Sequence, residues 1–181
     1  MLLVLAPRTV ATVSAKNSTT NNDRYFYVFL TEKRRIGDKS NHTPQHVTLV
    51  PPFFADKQAV LKVAETVASK FDPFEIKMDG RMMIGDKKDI PVILVKPNSY
   101  LQAVHVSLFD ELGRHNINTG YTRFIRDEFT PHVTIKKYLP PINETQKLIF
   151  DHIAVMHKIK GTKTVVAKNM LGQSDETVAR E

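Results

Sequence analysis

Strand-like and helix-like segments in alternation, with one block of sequence that occurs twice, predict a mixed helix-and-strand chain folded as two pseudo-symmetric lobes around a shared cleft. The block is Thr43-Pro44-Gln45-His46-Val47-Thr48-Leu49, matched by Thr130-Pro131-His132-Val133-Thr134-Ile135 with Gln45 as the one inserted residue. Each copy is followed by a proline pair, Pro51-Pro52 or Pro140-Pro141, then by a predicted helix, and later by Met-Ile-Gly (83–85) or Met-Leu-Gly (170–172). A period seen only twice is too short a series for a solenoid. It fits two halves related by a local twofold, which brings equivalent side chains to one place.

The elements follow in order. Tyr25 to Leu30 is aromatic and β-branched, hence a strand, and Glu32 to Gln45 is a polar loop carrying Lys33-Arg34-Arg35. His46 to Val50 predicts a strand stopped by Pro51-Pro52, since proline donates nothing to a central ladder. Asp56 caps a helix to about Lys70, with Val60, Val63, Ala64, Val67 and Ala68 on one face. Strands at Phe74 to Ile84 and Ile90 to Lys96 precede a second helix, Ser99 to Arg114, that turns Leu101, Val104, Leu108, Phe109 and Leu112 inward. A loop from His115 to Thr130 leads to a strand, His132 to Tyr138. Asn143 then predicts the cap of a third helix reaching about Lys158, and Lys163 to Met170 a last strand. The tail has one further candidate edge strand, Thr177-Val178-Ala179.

The chain reads as a single domain over 1–181: an extension and linker (1–23), a first lobe half with the HVTL block (24–96) and a second with HVTI (97–181). Met1 to Ala15 is apolar, but Pro7 and Arg8 sit inside the apolar stretch, where a secretory signal keeps its charge in front. Thr9 to Val13 alternates as a strand does, and Ser14 to Asp23 is polar linker. The sequons at Asn17, Asn41 and Asn143 therefore read as chance. With no Cys, disulfide scaffolds, thiol catalysis and cysteine-ligated metal sites are excluded. No apolar run reaches the roughly 20 residues that cross a bilayer. The formal net charge of +7 favours anionic partners such as phosphates or RNA.

On a strand, residues i and i+2 share a face, so His46 projects with Thr48 and His132 with Thr134. Two imidazoles and two hydroxyls in one cleft form an acid–base set. A neutral imidazole takes a proton from the attacking oxygen, a protonated one gives a proton to the leaving oxygen, and the hydroxyls hold non-bridging phosphate oxygens. His-x-Ser/Thr alone is weak, since chance predicts about one instance in a chain of this composition. A third instance, His105-Val106-Ser107, falls within the second helix, where i and i+2 diverge, and His105 reads as a helix residue beside the core. His42 and His46 have a metal-like i, i+4 spacing, but Pro44 between them prevents the helix that would align them.

The paired HVTL (46–49) and HVTI (132–135), the second preceded by Pro131, and the HVTLVPPF run (46–53) resemble the 2H phosphoesterase superfamily of 2′-5′ RNA ligase-like proteins and cyclic phosphodiesterases. The resemblance covers about Tyr25 to Met170. It implies an α+β fold of two pseudo-symmetric lobes, each an antiparallel sheet with helices packed outside and the active-site cleft between them. It also implies a catalytic tetrad of His46, Thr48, His132 and Thr134, and metal-independent cleavage of 2′,3′-cyclic phosphates or 2′-5′-linked RNA and nucleotides, with no cofactor and no metal. The expected partner is RNA or a small nucleotide, with no membrane, for a cytoplasmic monomer. Reverse joining of RNA ends and a non-catalytic nucleotide-binding module are the alternatives. Tyr121, Arg123 and Lys137 are the candidate substrate-binding residues: an aromatic beside an Arg suits base stacking and phosphate contact, and Lys137 lies where the strand end turns toward the rim.

Overall fold

The computed structural model describes residues 24–123, 125–139 and 141–173. The expected strand Thr9 to Val13, the linker 14–23, the edge strand Thr177 to Ala179, Phe124 and Pro140 lie outside the described residues. Among the described residues nine strands form one antiparallel sheet: β1 (Arg24–Leu30), β2 (Lys39–Ser40), β3 (His46–Phe53), β4 (Phe74–Ile84), β5 (Ile90–Val95), β6 (His132–Thr134), β7 (Lys147–Phe150), β8 (His152–Ile159) and β9 (Thr162–Met170). Their order across the sheet is β2-β9-β8-β1-β3-β6-β5-β4-β7. Two helices, α1 (Lys57–Ala68) and α2 (Ser99–Arg114), complete an α+β fold.

The sheet has two wings that meet where β3 lies beside β6, at Val47 opposite Val133. Each wing draws strands from both sides of residue 96. The β4–β5 hairpin pairs with β7 and β6, whereas β8 and β9 return to lie beside β1. Alternation sorts the two faces. Tyr27, Phe29, Val47, Leu49, Val133, Ile153 and Val155 are buried with the apolar stripes of α1 and α2, while Phe26, Val28, Leu30, Ala154, Met156 and Val165 form a separate cluster. The Tyr27 hydroxyl donates to the Val60 carbonyl of α1 at 2.8 Å, so the phenol stays neutral and burial pushes its pKa up.

Two of the three predicted helices are present. Asp56 caps α1, its carboxylate accepting from Gln58 N at 2.9 Å and Ala59 N at 3.1 Å, and Asn98 caps α2 through Leu101 N at 3.0 Å. Four elements differ from the sequence reading. The third helix is absent: residues 147–159 form β7 and β8, because Ile153 to Met156 is buried on both faces and has no helical stripe to offer. The cap-like Asn143 instead closes a turn, accepting from Thr145 N at 3.0 Å while Gln146 N donates to its carbonyl at 3.0 Å. The proline pair does not stop β3, which runs to Phe53. Tyr27 faces Val50 and Tyr25 faces Phe53, so Pro51 and Pro52 together oppose Phe26 in a bulge that needs no ladder donor from them. Finally, β6 spans three residues rather than seven, and the 32–45 loop contains β2.

The repeat therefore holds through the histidine strands and breaks after the proline pairs. Its closing glycines still match: Gly85 (φ +91) and Gly172 (φ +74) both take left-handed backbone that other residues reach only with strain. The Asp56 cap supplies the stability test for this half of the molecule. Asp56→Ala is expected to cost about 1 kcal/mol in urea unfolding, and Asp56→Asn much less.

Candidate active site

The β3–β6 junction sets the site. With Val47 opposite Val133 and both side chains in the helix-side core, the antiparallel ladder puts His46 across from Thr134 and Thr48 across from His132. All four project to the face away from the helices, where all are half-buried. The antiparallel pair supplies the local twofold. The two histidines lie on the diagonal, with Cα atoms about 7–8 Å apart, the reach across one phosphate group. Neighbouring strands hold the pair in register, β1 through Leu30 opposite His46 and Val28 opposite Thr48, and β5 through Leu94 opposite His132 and Val92 opposite Thr134.

Each imidazole is oriented in the same way. His46 Nδ1 lies 2.6 Å from the Pro44 carbonyl, and His132 Nδ1 lies 2.8 Å from the Thr130 carbonyl, in both cases two residues back along the chain. A carbonyl only accepts, so Nδ1 carries the hydrogen and the neutral ring leaves Nε2 as a proton acceptor. Phe26 packs edge-on against the His46 ring at 6.4 Å. Burial holds His46 well below the usual imidazole range, at about 4. The Pro44 carbonyl and Glu32 oppose that shift, while Lys136 and His132 add to it. His46 is thus neutral in ordinary buffers.

The other candidate residues are spread around this centre. Tyr121 is half-buried and its hydroxyl donates to the Pro52 carbonyl at 3.1 Å, which sets it at the His132 end of the cleft; Arg123 is exposed on the same loop. Lys137 is exposed and lines a cavity of about 280 Å³ with Gln45, Arg81, Ile93, Val133 and Ile142. The lysine whose charge acts on His46 is its neighbour Lys136, which donates to the Thr43 carbonyl at 3.3 Å. Sequence alternation already places 132, 134 and 136 on one face, and that signal points to Lys136. Among the described residues no group of three His, Asp or Glu is arranged to hold a metal ion, and no helix is long and apolar enough to cross a membrane.

His105 has a larger role than packing. From α2 its Nδ1 donates to the Leu49 carbonyl of β3 at 2.7 Å, and its Nε2 accepts from Arg126 N at 2.9 Å. Its ring stacks on Phe129 at 3.9 Å. One neutral imidazole thus ties the first histidine strand to the loop that delivers the second. Arg126, at φ +51, is also held by Asp110 at 2.6 Å and by Gln102 Nε2, which donates to its carbonyl at 2.5 Å.

A family model described as the 2′-5′ RNA ligase superfamily matches residues 27–156, a span that includes both histidine strands. The chain is 31% identical over 100 residues to GK0864 of Geobacillus kaustophilus (strain HTA426), a protein provisionally named a phosphoesterase. That match covers 54% of this chain and 53% of the relative, so the chain spans about half the length of the curated protein it matches. In fold it is similar to TT0787 of Thermus thermophilus, with TM-score 0.55, 17% identity, and 83% of this chain and 99% of that one covered. It is also similar to E. coli LigT crystallised with 3′-AMP, with TM-score 0.55, 14% identity, and 84% and 99% covered.

Burial lowers the pKa of His46, His105 and His152 alike. In the unfolded chain these rings bind protons below about 6.5, while the folded chain resists. The unfolded state then holds more protons, so stability rises with pH from His46's value of about 4 to about 6.5. Urea unfolding at pH 5 and pH 7 measures this. His105→Phe, which keeps the ring but strands Leu49 O and Arg126 N, is expected to cost about 1–3 kcal/mol and to flatten the pH slope.

Proposed function

The chain belongs to the 2′-5′ RNA ligase superfamily, and from that premise we propose that it is a metal-independent phosphodiesterase opening 2′,3′-cyclic phosphates or cleaving 2′-5′ linkages at RNA ends or in small nucleotides. The observation that carries this reading is the matched pair of Nδ1–carbonyl bonds, at Pro44 and Thr130. They leave two Nε2 atoms on one sheet face, each histidine facing a threonine hydroxyl across the strands. The phosphoesterase name of GK0864 and the 3′-AMP bound by LigT support a nucleotide phosphate as the ligand.

The environment divides the roles. His46, kept neutral by burial and by the Lys136 charge, accepts a proton from the attacking water. The water oxygen bonds to phosphorus as the bond to one ribose oxygen breaks. His132, in the acid's role, gives a proton from Nε2 to that leaving oxygen, and the product is a phosphomonoester. Thr48 and Thr134 donate hydrogen bonds to the non-bridging oxygens, whose charge grows as the fifth bond forms.

The test is a substrate panel of nucleoside 2′,3′-cyclic phosphates and 2′-5′ dinucleotides with the regiochemistry of the product determined. His46→Ala and His132→Ala are each expected to lower kcat by about 10²–10⁴ while ligand binding is retained. A wild-type protein that binds nucleotides and turns none over is a binding module, and the reading fails. The acid limb of kcat/KM is expected near pH 4, where His46 becomes protonated in the free enzyme. Rates should be unchanged in EDTA; loss of activity rescued by a divalent ion overturns the mechanism.

A further inference from the structure

Beyond His46 the cleft face runs into a corner assembled from four separated stretches: the 41–43 loop, residues 136–138 after β6, the end of β8 and the start of β9. Lys136 Nζ donates to the Thr43 carbonyl at 3.3 Å and Lys163 Nζ to the Asn41 carbonyl at 2.8 Å, so one short segment holds both ammonium groups. Lys158 lies directly opposite Lys163 in the β8–β9 ladder. Like charges facing each other across a strand pair are unfavourable. Burial, Lys158 and Lys136 together hold the Lys163 ammonium below the usual lysine range, so the three charges act on one another. None of the three has a carboxylate within ion-pair distance among the described residues. Cations gathered at a structural cost without an internal counter-charge fit an anion that arrives with a ligand.

A second feature of the same corner is aromatic. Tyr138 is 54% exposed, yet its ring is not loose: it lies against the His42 ring at 4.4 Å and under Lys136 Nζ at 5.9 Å. An exposed, backed aromatic surface beside cations is the arrangement on which single-stranded bases stack while their phosphates are neutralised.

We propose that this corner is a second nucleotide subsite, in which Tyr138 and His42 stack a base and Lys158 and Lys163 hold the adjoining phosphate, so that the substrate is an oligoribonucleotide end rather than a mononucleotide. This rests on the phosphodiesterase reading above and extends it to the neighbouring nucleotide. Lys136 stands between the two positions, next to His46 on one side and Tyr138 on the other.

The experiment compares kcat/KM for a nucleoside 2′,3′-cyclic phosphate with that for a trinucleotide ending in the same cyclic phosphate, in the full chain and in Tyr138→Leu, Lys158→Gln and Lys163→Gln. Circular dichroism checks that each variant folds, and the three substitutions lie on separate segments, so loss of one leaves two. The trinucleotide is expected to be favoured about tenfold or more, with each variant pulling that ratio toward one. The dependence of the trinucleotide's log kcat/KM on log salt should flatten by roughly 0.7 for each lysine removed. Equal kcat/KM for the two substrates, or a ratio that the variants leave unchanged, overturns the proposal. If neither substrate turns over, the phosphodiesterase reading fails by itself, and calorimetric binding decides the subsite. Tighter binding of a 3′-phosphorylated trinucleotide than of a 3′-mononucleotide, lost in the variants, supports it, and equal binding overturns it.

Discussion

One backbone pairing, Val47 against Val133, governs where every group of the candidate site stands, because strand side chains alternate with a period of two. A slip of one residue between β3 and β6 would turn the histidine and threonine of the slipped strand into the helix-side core and expose its valine. The buried valines, and the flanking strands that fix β3 and β6 independently, make that slip costly. The site is therefore held by core packing on the opposite face of the same sheet. Stability and function share one register.

Within that frame, backbone carbonyls do the finer positioning. A side-chain partner for Nδ1 could move or titrate; the Pro44 and Thr130 carbonyls do neither. The two histidines still differ, since Lys136 and Glu32 both act on His46. A symmetric scaffold here has asymmetric surroundings, and the asymmetry comes from residues outside the repeated block.

Much of this is legible in the chain itself, and the exceptions have a common cause. α2 is readable to both ends because Leu101, Val104, Leu108 and Leu112 mark a clear stripe. The shared face of His46 with Thr48, and of His132 with Thr134, follows from alternation alone. What fails is whatever depends on a distant partner. β8 has no period because packed side chains cover both of its faces, and its continuous apolar run reads equally as a buried helix. Pro51-Pro52 reads as a stop because the bulge that accommodates it opposite Phe26 is a property of the pair of strands. The preference for Lys137 over Lys136 assumes a longer strand, and β6 ends at Thr134. His105 reads as a decoy of the motif, and its bridge from Leu49 to Arg126 joins residues far apart in sequence.

Among the described residues the outermost strands, β2 and β7, run for only two and four residues, and β9 carries Lys168 on the stretch beyond its pairing with β2. A wide antiparallel sheet ordinarily offers its flanks as templates on which further chains can add by main-chain hydrogen bonding. Here, among the described residues, the outermost strands are brief, and Lys168 puts a charge beside the stretch of β9 on which another chain would add.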